Sequence, residues 1–169
     1  MRKWLLAIFL VLCFYIDNVL FGFIGVHWLR PDVMLALVVS LGVLAGPAAA
    51  GAAGFVLGLV TDIFFNKIVG LTGLTLMLSG CAAGLFYRKF YADNLIIPTV
   101  TAMVCSFIKE HIFLIASAAA GASPPYFLTL ATHILPCFLL TGGVCALLHL
   151  FLKHNLYRPL WRKEAIDIE

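Results

Sequence analysis

Six long apolar runs, almost without charge, govern what this chain can fold into. They are Trp4–Phe23, Asp32–Ala45, Ala48–Phe65, Leu71–Tyr87, Leu95–Ala119 and Tyr126–Leu152. A helix crossing the hydrocarbon of a bilayer needs roughly 20 predominantly apolar residues, and these runs occupy most of the 169-residue chain. Soluble domains carry about 25% charged residues; here the figure is 11%, beside 63% hydrophobic residues. So short a chain cannot hide that much apolar surface from water, so lipid is the solvent to expect. Lipid offers no partner for backbone groups, which leaves helices or closed barrels. Barrel strands alternate polar and apolar residues, and Leu5–Val11 and Met34–Val39 do not alternate. The expected fold class is therefore all-α. The chain reads as a polytopic membrane protein with six transmembrane helices, in a single integral membrane domain over residues 1–169.

Basic residues set the orientation. Arg2 and Lys3 precede the first run, Arg88 and Lys89 follow the fourth, and Lys153, Arg158, Arg162 and Lys163 follow the sixth. With six spans all of these share one side, and the opposite side holds only Arg30 and Lys67. The positive-inside rule then places both termini in the cytoplasm. The first apolar run exceeds the 7–15 residues of a secretory signal and lacks a small-x-small cleavage site, so it reads as an uncleaved span. Cys13, Cys81, Cys105, Cys137 and Cys145 all fall within spans, without the clustered spacing of a metal site or disulfide framework. They read as small packing residues, and neither metal nor cofactor is expected.

Two stretches are unusual. The link Ala45-Gly46-Pro47-Ala48 carries no charge. The span before it, from Pro31 to Gly46, would reach only about 24 Å against about 30 Å of hydrocarbon, so this turn is expected within the membrane boundary, sheltered by other helices. Arg30-Pro31-Asp32 reads as a helix start, with Pro31 at the first helical position and Asp32 at the positive end of the helix dipole. In the third span Ala50, Gly54, Gly58 and Asp62 recur every four residues, with Gly51 beside them. Small residues at that spacing let membrane helices approach closely, either inside the monomer or against a partner helix.

Together these features resemble the bacterial rod-shape-determining protein family MreD. The resemblance rests on Arg30-Pro31-Asp32 opening the second span, and on Gly46-Pro47 leading into Gly51, Gly54, Gly58 and Asp62. Gly70-Leu71 and the basic pair Arg88-Lys89 complete it. It implies Arg30, Pro31, Asp32, Gly54, Gly58, Asp62 and Gly70 as motif residues, and a fold similar to the substrate-binding subunits of energy-coupling-factor vitamin transporters. It also implies a place in the cell-elongation machinery of a bacterial inner membrane. The partners it implies are the single-span MreC, the actin-like MreB and the enzymes of lateral peptidoglycan synthesis, with a homodimer left open.

Ionisable residues inside a span are costly and mark a site or a paired interior contact. Lys109, Glu110 and His111 are consecutive in the fifth span and spread over roughly 200° of its surface. No opposite charge lies three or four residues from Lys109 or Glu110, so their partners must come from other helices, another chain or water. On the outer side Asp17, His133 and Asp62 are available. The expectation is a buried Asp17–Lys109 pair with Glu110 or His133 nearby, acting as an internal tie, an anchor for a partner helix or a polar pocket. Beyond the last span, Tyr157, Arg158, Trp161, Arg162 and Lys163 read, like Arg88 and Lys89, as a headgroup-level anchor in contact with membrane lipid; a cytoplasmic docking peptide is the alternative. The zincin, nucleophile-elbow and phosphate-loop motifs are missing, as are nucleic-acid signatures, so neither an enzyme nor a nucleic-acid binder is expected. The competing reading is a small-molecule-binding or transport subunit.

Overall fold

A computed structural model describes residues 10–20, 31–66, 69–87, 95–121 and 129–153. Arg30, Arg88, Lys89, Tyr157, Arg158, Trp161, Arg162 and Lys163 lie outside the described residues. Within them all regular structure is helical. The helices are α1 (Leu10–Val19), α2 (Val33–Ala45), α3 (Pro47–Phe65), α4 (Leu71–Gly84), α5 (Ile96–Ala119) and α6 (Leu135–Leu152). A π-helical turn, Ile16–Leu20, ends α1, and another, Leu130–Ile134, leads into α6. Among the described residues three helices are long and apolar enough to cross a membrane: α3, α5 and α6 with the residues before it.

Local chemistry sets the boundaries. Asp32 is the N-cap of α2, its side chain accepting the Leu35 N–H at 2.9 Å. Pro31 stands just outside the helix, not at its first position as the sequence suggested. Gly46 adopts φ 93°, which stops α2, and Pro47 opens α3 in the next residue. Of the link expected to be sheltered, Gly46 is buried with the Tyr87 ring against it, while Pro47 and Ala48 are exposed. A left-handed glycine also begins α4 (Gly70, φ 98°) and another follows α5 (Gly121, φ 91°).

The second span forms the centre of the bundle. From Leu35 to Val39 every residue of α2 is fully buried. On one side Leu37, Leu41 and Leu44 pack with Cys13, Ala50 and Leu152. On the other, Met34, Leu35, Ala36 and Val39 meet Leu76, Ala83, Ala102 and Cys145. A helix apolar all round is suited to such a position. It also explains how a helix of 13 residues, about 20 Å long, serves in a membrane bundle: its neighbours, not lipid, surround it.

The glycine ladder is used inside the chain. A Cβ at Gly58 would stand 2.5 Å from Gly73 Cα, one at Gly54 2.7 Å from the Leu76 carbonyl oxygen, and one at Gly51 2.7 Å from Cys81 Sγ. The α3 and α4 backbones therefore touch along this seam, the small-residue packing that replaces a hydrophobic drive between helices in lipid. Of the two readings of the ladder, the intramolecular one describes the structure. Outward, the bundle shows Val56, Ile63 and Phe64 of α3, Leu74 and Leu78 of α4, Ile96, Val100 and Ile108 of α5, and Leu139 and Leu147 of α6, all roughly half-exposed or more. So wide an apolar exterior suits lipid and not water.

These contacts predict different outcomes for two glycines. Gly58→Ala forces backbone against backbone and should cost about 1–3 kcal/mol, read as a lower thermal midpoint in detergent. Gly143 has open space around it, and Gly143→Ala should be neutral or slightly stabilising. Equal losses for the two would contradict the seam.

Candidate functional site

Two short helices, α2 and α4, begin at the same end of the bundle. α2 has 13 residues and α4 has 14, lengths of about 20 and 21 Å, well short of the roughly 30 Å hydrocarbon layer. Over their N-termini lies a cavity of about 410 Å³. Its walls come from α1, α2, α3, α5 and the approach to α6, with Thr72 of α4 at its edge. Both π-helical turns reach it: the first supplies Asp17 and Asn18, the second His133. Such turns recur at functional sites.

Electrostatics at the cavity centre on the N-terminus of α2. Asp32 Oδ1 caps Leu35 N–H, and its Oδ2 forms a direct ion pair with Lys109 Nζ of α5. The Asp32 backbone N–H donates to Thr141 Oγ1 of α6 at 3.0 Å. One residue thus ties α2, α5 and α6 together. Here the structure corrects the sequence expectation: the ion-pair partner of Lys109 is Asp32, not Asp17. The Asp17 carboxylate instead accepts the Met34 N–H at 3.4 Å. Two carboxylates therefore meet the positive end of α2, and Asp32, continuous with that helix, is the one oriented toward α5. Glu110 and His133, each expected only near the Lys109 pair, lie together, with Oε2 and Nδ1 3.7 Å apart. Phe113, one turn beyond Lys109, sets its ring 5.8 Å from the ammonium.

Asp62 serves a separate purpose. It is fully buried at the end of α3, and its Oδ2 accepts the N–H groups of Gly70 and Thr72, each at 2.9 Å, and of Gly73 at 3.2 Å. Its Oδ1 takes the Asn66 amide at 2.7 Å. The first residues of α4 lack a side-chain cap of their own, and the carboxylate of the preceding helix supplies it. Gly54, Gly58, Asp62 and Gly70 thus build the α3–α4 hairpin. Pro31, Asp17, Asp32, Lys109, Glu110 and His133 line the cavity.

The sequence reading missed Asn18, Thr61, Asn66, Thr72 and Cys137, which also line the cavity. Asn18 carried a signal, sitting beside Asp17 in an apolar run. The threonines carried none, since a hydroxyl bonded back to its own helix, as Thr61 is to the Leu57 carbonyl, is common in membrane helices.

Lys109 and Asp32 are both largely buried (15% and 6% exposed side chains). Lys109→Met should therefore strand a carboxylate and cost about 3–5 kcal/mol, with partial recovery in the Lys109→Met/Asp32→Asn double variant. The coupling measured in a double-mutant cycle should be larger for Lys109 with Asp32 than for Lys109 with Asp17. The reverse order would restore the original pairing.

Comparison with known proteins adds one finding. The family model described as rod shape-determining protein MreD matches residues 1–120, which include α1 to α5 and, among the described residues, all that line the cavity but His133 and Cys137. No curated protein and no solved structure matches the chain. The match covers well over half of the sequence and includes the Asp32 cap, the glycine seam and the Asp62 hairpin, so the chain belongs to the MreD family of rod shape-determining proteins.

Proposed function

We propose that this protein is a non-enzymatic scaffold of the bacterial cell-elongation machinery, held in the inner membrane by six spans with both termini in the cytoplasm. In this reading it binds the single-span protein MreC and helps couple MreB to the enzymes of lateral peptidoglycan synthesis. The family match carries the proposal. Packing supports it: α5 is the longest helix, yet only Pro98, Ala102 and Ser106 of it are buried. A long helix so little covered offers a face to a partner's span. The tail's Tyr157, Arg158, Trp161, Arg162 and Lys163 complete the picture as a headgroup anchor on the cytoplasmic side, with the cavity at the outer end of the bundle.

Co-purification from membranes tests the partnership. MreC should be recovered with the protein, and photo-cross-linkers at Val104 and Ile108 should capture it. A strictly solitary protein would refute the scaffold reading. Tags on the two ends should report the same, cytoplasmic face. Removing the residues after Lys153 should weaken membrane anchoring; intact insertion with lost recruitment of cytoplasmic partners would favour a docking role for the tail.

A second reading is a small-molecule-binding subunit, akin in fold to those of energy-coupling-factor transporters. The polar cavity is the observation that favours it.

A further inference from the structure

The cavity over α2 has a chemical bias that follows from how its lining groups are already bonded. Among the described lining residues, several donors are engaged inside the protein. Lys109 is directed to Asp32. Asn66 uses its amide nitrogen on Asp62 Oδ1 at 2.7 Å and Thr72 Oγ1 at 2.9 Å. Asn18 donates to the Phe14 carbonyl at 3.2 Å, and the Thr61 hydroxyl to the Leu57 carbonyl at 2.9 Å. These bonds leave accepting capacity in the same residues: the amide oxygens of Asn18 and Asn66, the lone pairs of Thr61 Oγ1, and the Glu110 carboxylate. Glu110 is only loosely engaged, with His133 at 3.7 Å and Cys137 Sγ at 4.0 Å.

A space of about 410 Å³ is within the range of small-ligand sites. Its occupant must donate several hydrogen bonds and tolerate neighbouring carboxylates. A primary ammonium does both, with three N–H donors and a positive charge. A quaternary ammonium donates none and needs a surrounding aromatic cage, whereas among the described lining residues the phenyl rings are Phe65 and Phe113. We propose that the cavity is a receptor for a primary ammonium group, carried either by an aminophospholipid headgroup or by a small soluble amine. The inference rests on the cavity being a binding site, the second reading above, and is independent of the partner-binding scaffold.

The test uses the full chain in nanodiscs of phosphatidylglycerol mixed with either phosphatidylethanolamine or phosphatidylcholine, with native mass spectrometry reading what each chain retains. One phosphatidylethanolamine per chain should be retained in preference to phosphatidylcholine. Alternatively, ethanolamine added to the phosphatidylcholine discs should bind; the first result identifies a lipid source and the second a soluble one. Glu110→Gln should reduce retention about tenfold. Thr61→Val, nearly isosteric, should reduce it without loss of folded protein, and His111→Gln, outside the cavity lining, should leave it unchanged. Equal retention of the two lipids with no ethanolamine bound would overturn the proposal, as would indifference to Glu110 and Thr61. A retained ligand without an amine would overturn the ammonium assignment while leaving a binding site in place. Retention of nothing would remove both.

Discussion

A helix surrounded by protein on every side must still satisfy the N–H groups of its first turn, and here they lie away from bulk water. That constraint at the start of α2 organises much of the bundle. Asp32 meets it with one carboxylate oxygen and gives the other to Lys109, while its backbone N–H reaches Thr141. Asp17 takes a further donor, the Met34 N–H. A lone buried carboxylate would be costly in such surroundings, and a lone buried ammonium equally so. Placed together on a helix dipole of the right sign, each compensates the other. The ion pair therefore joins α2 to α5 by the same bonds that make the buried helix end tolerable.

The α3–α4 hairpin solves the same problem independently. α4 is also short, and its first N–H groups are met by Asp62 from the preceding helix. For that carboxylate to reach them, the two helices must lie almost backbone to backbone. Gly54 and Gly58 allow this because even one added carbon would collide with Leu76 or Gly73. The glycines and the aspartate are thus one device. Two short helices with acid-capped starts begin at the same end, and the polar cavity lies over them. Shortness, capping and cavity are consequences of one arrangement.

Rod shape determination is the role the family assigns, and the structure suits a protein that acts by holding others in place. Its interior is closely packed, its glycine seam is already used, and its exterior is broadly apolar. What distinguishes one end from the other is the cavity, where the ionisable groups of four helices and their connections converge.

Much of this was legible in the residues. The boundaries of α2 to α5 follow from apolar runs punctuated by Asp32, Gly46-Pro47, Gly70 and Gly121, because helix starts and stops are decided by chemistry within a few residues. The gathering of Asp17, Lys109, Glu110 and His133 at one end followed from counting spans. The sequence could not choose the partner of Lys109. Asp32 is 77 positions away and already had a complete local explanation as a cap, so nothing in its neighbourhood announced a second bond. Nor could it say whether the glycine ladder faced its own chain or another. Local chemistry determines where helices begin and end and which residues cannot face lipid unpaired. Only the packing of the other helices about α2 decides which of several carboxylates meets the Lys109 ammonium, since that depends on distances between segments remote in the chain.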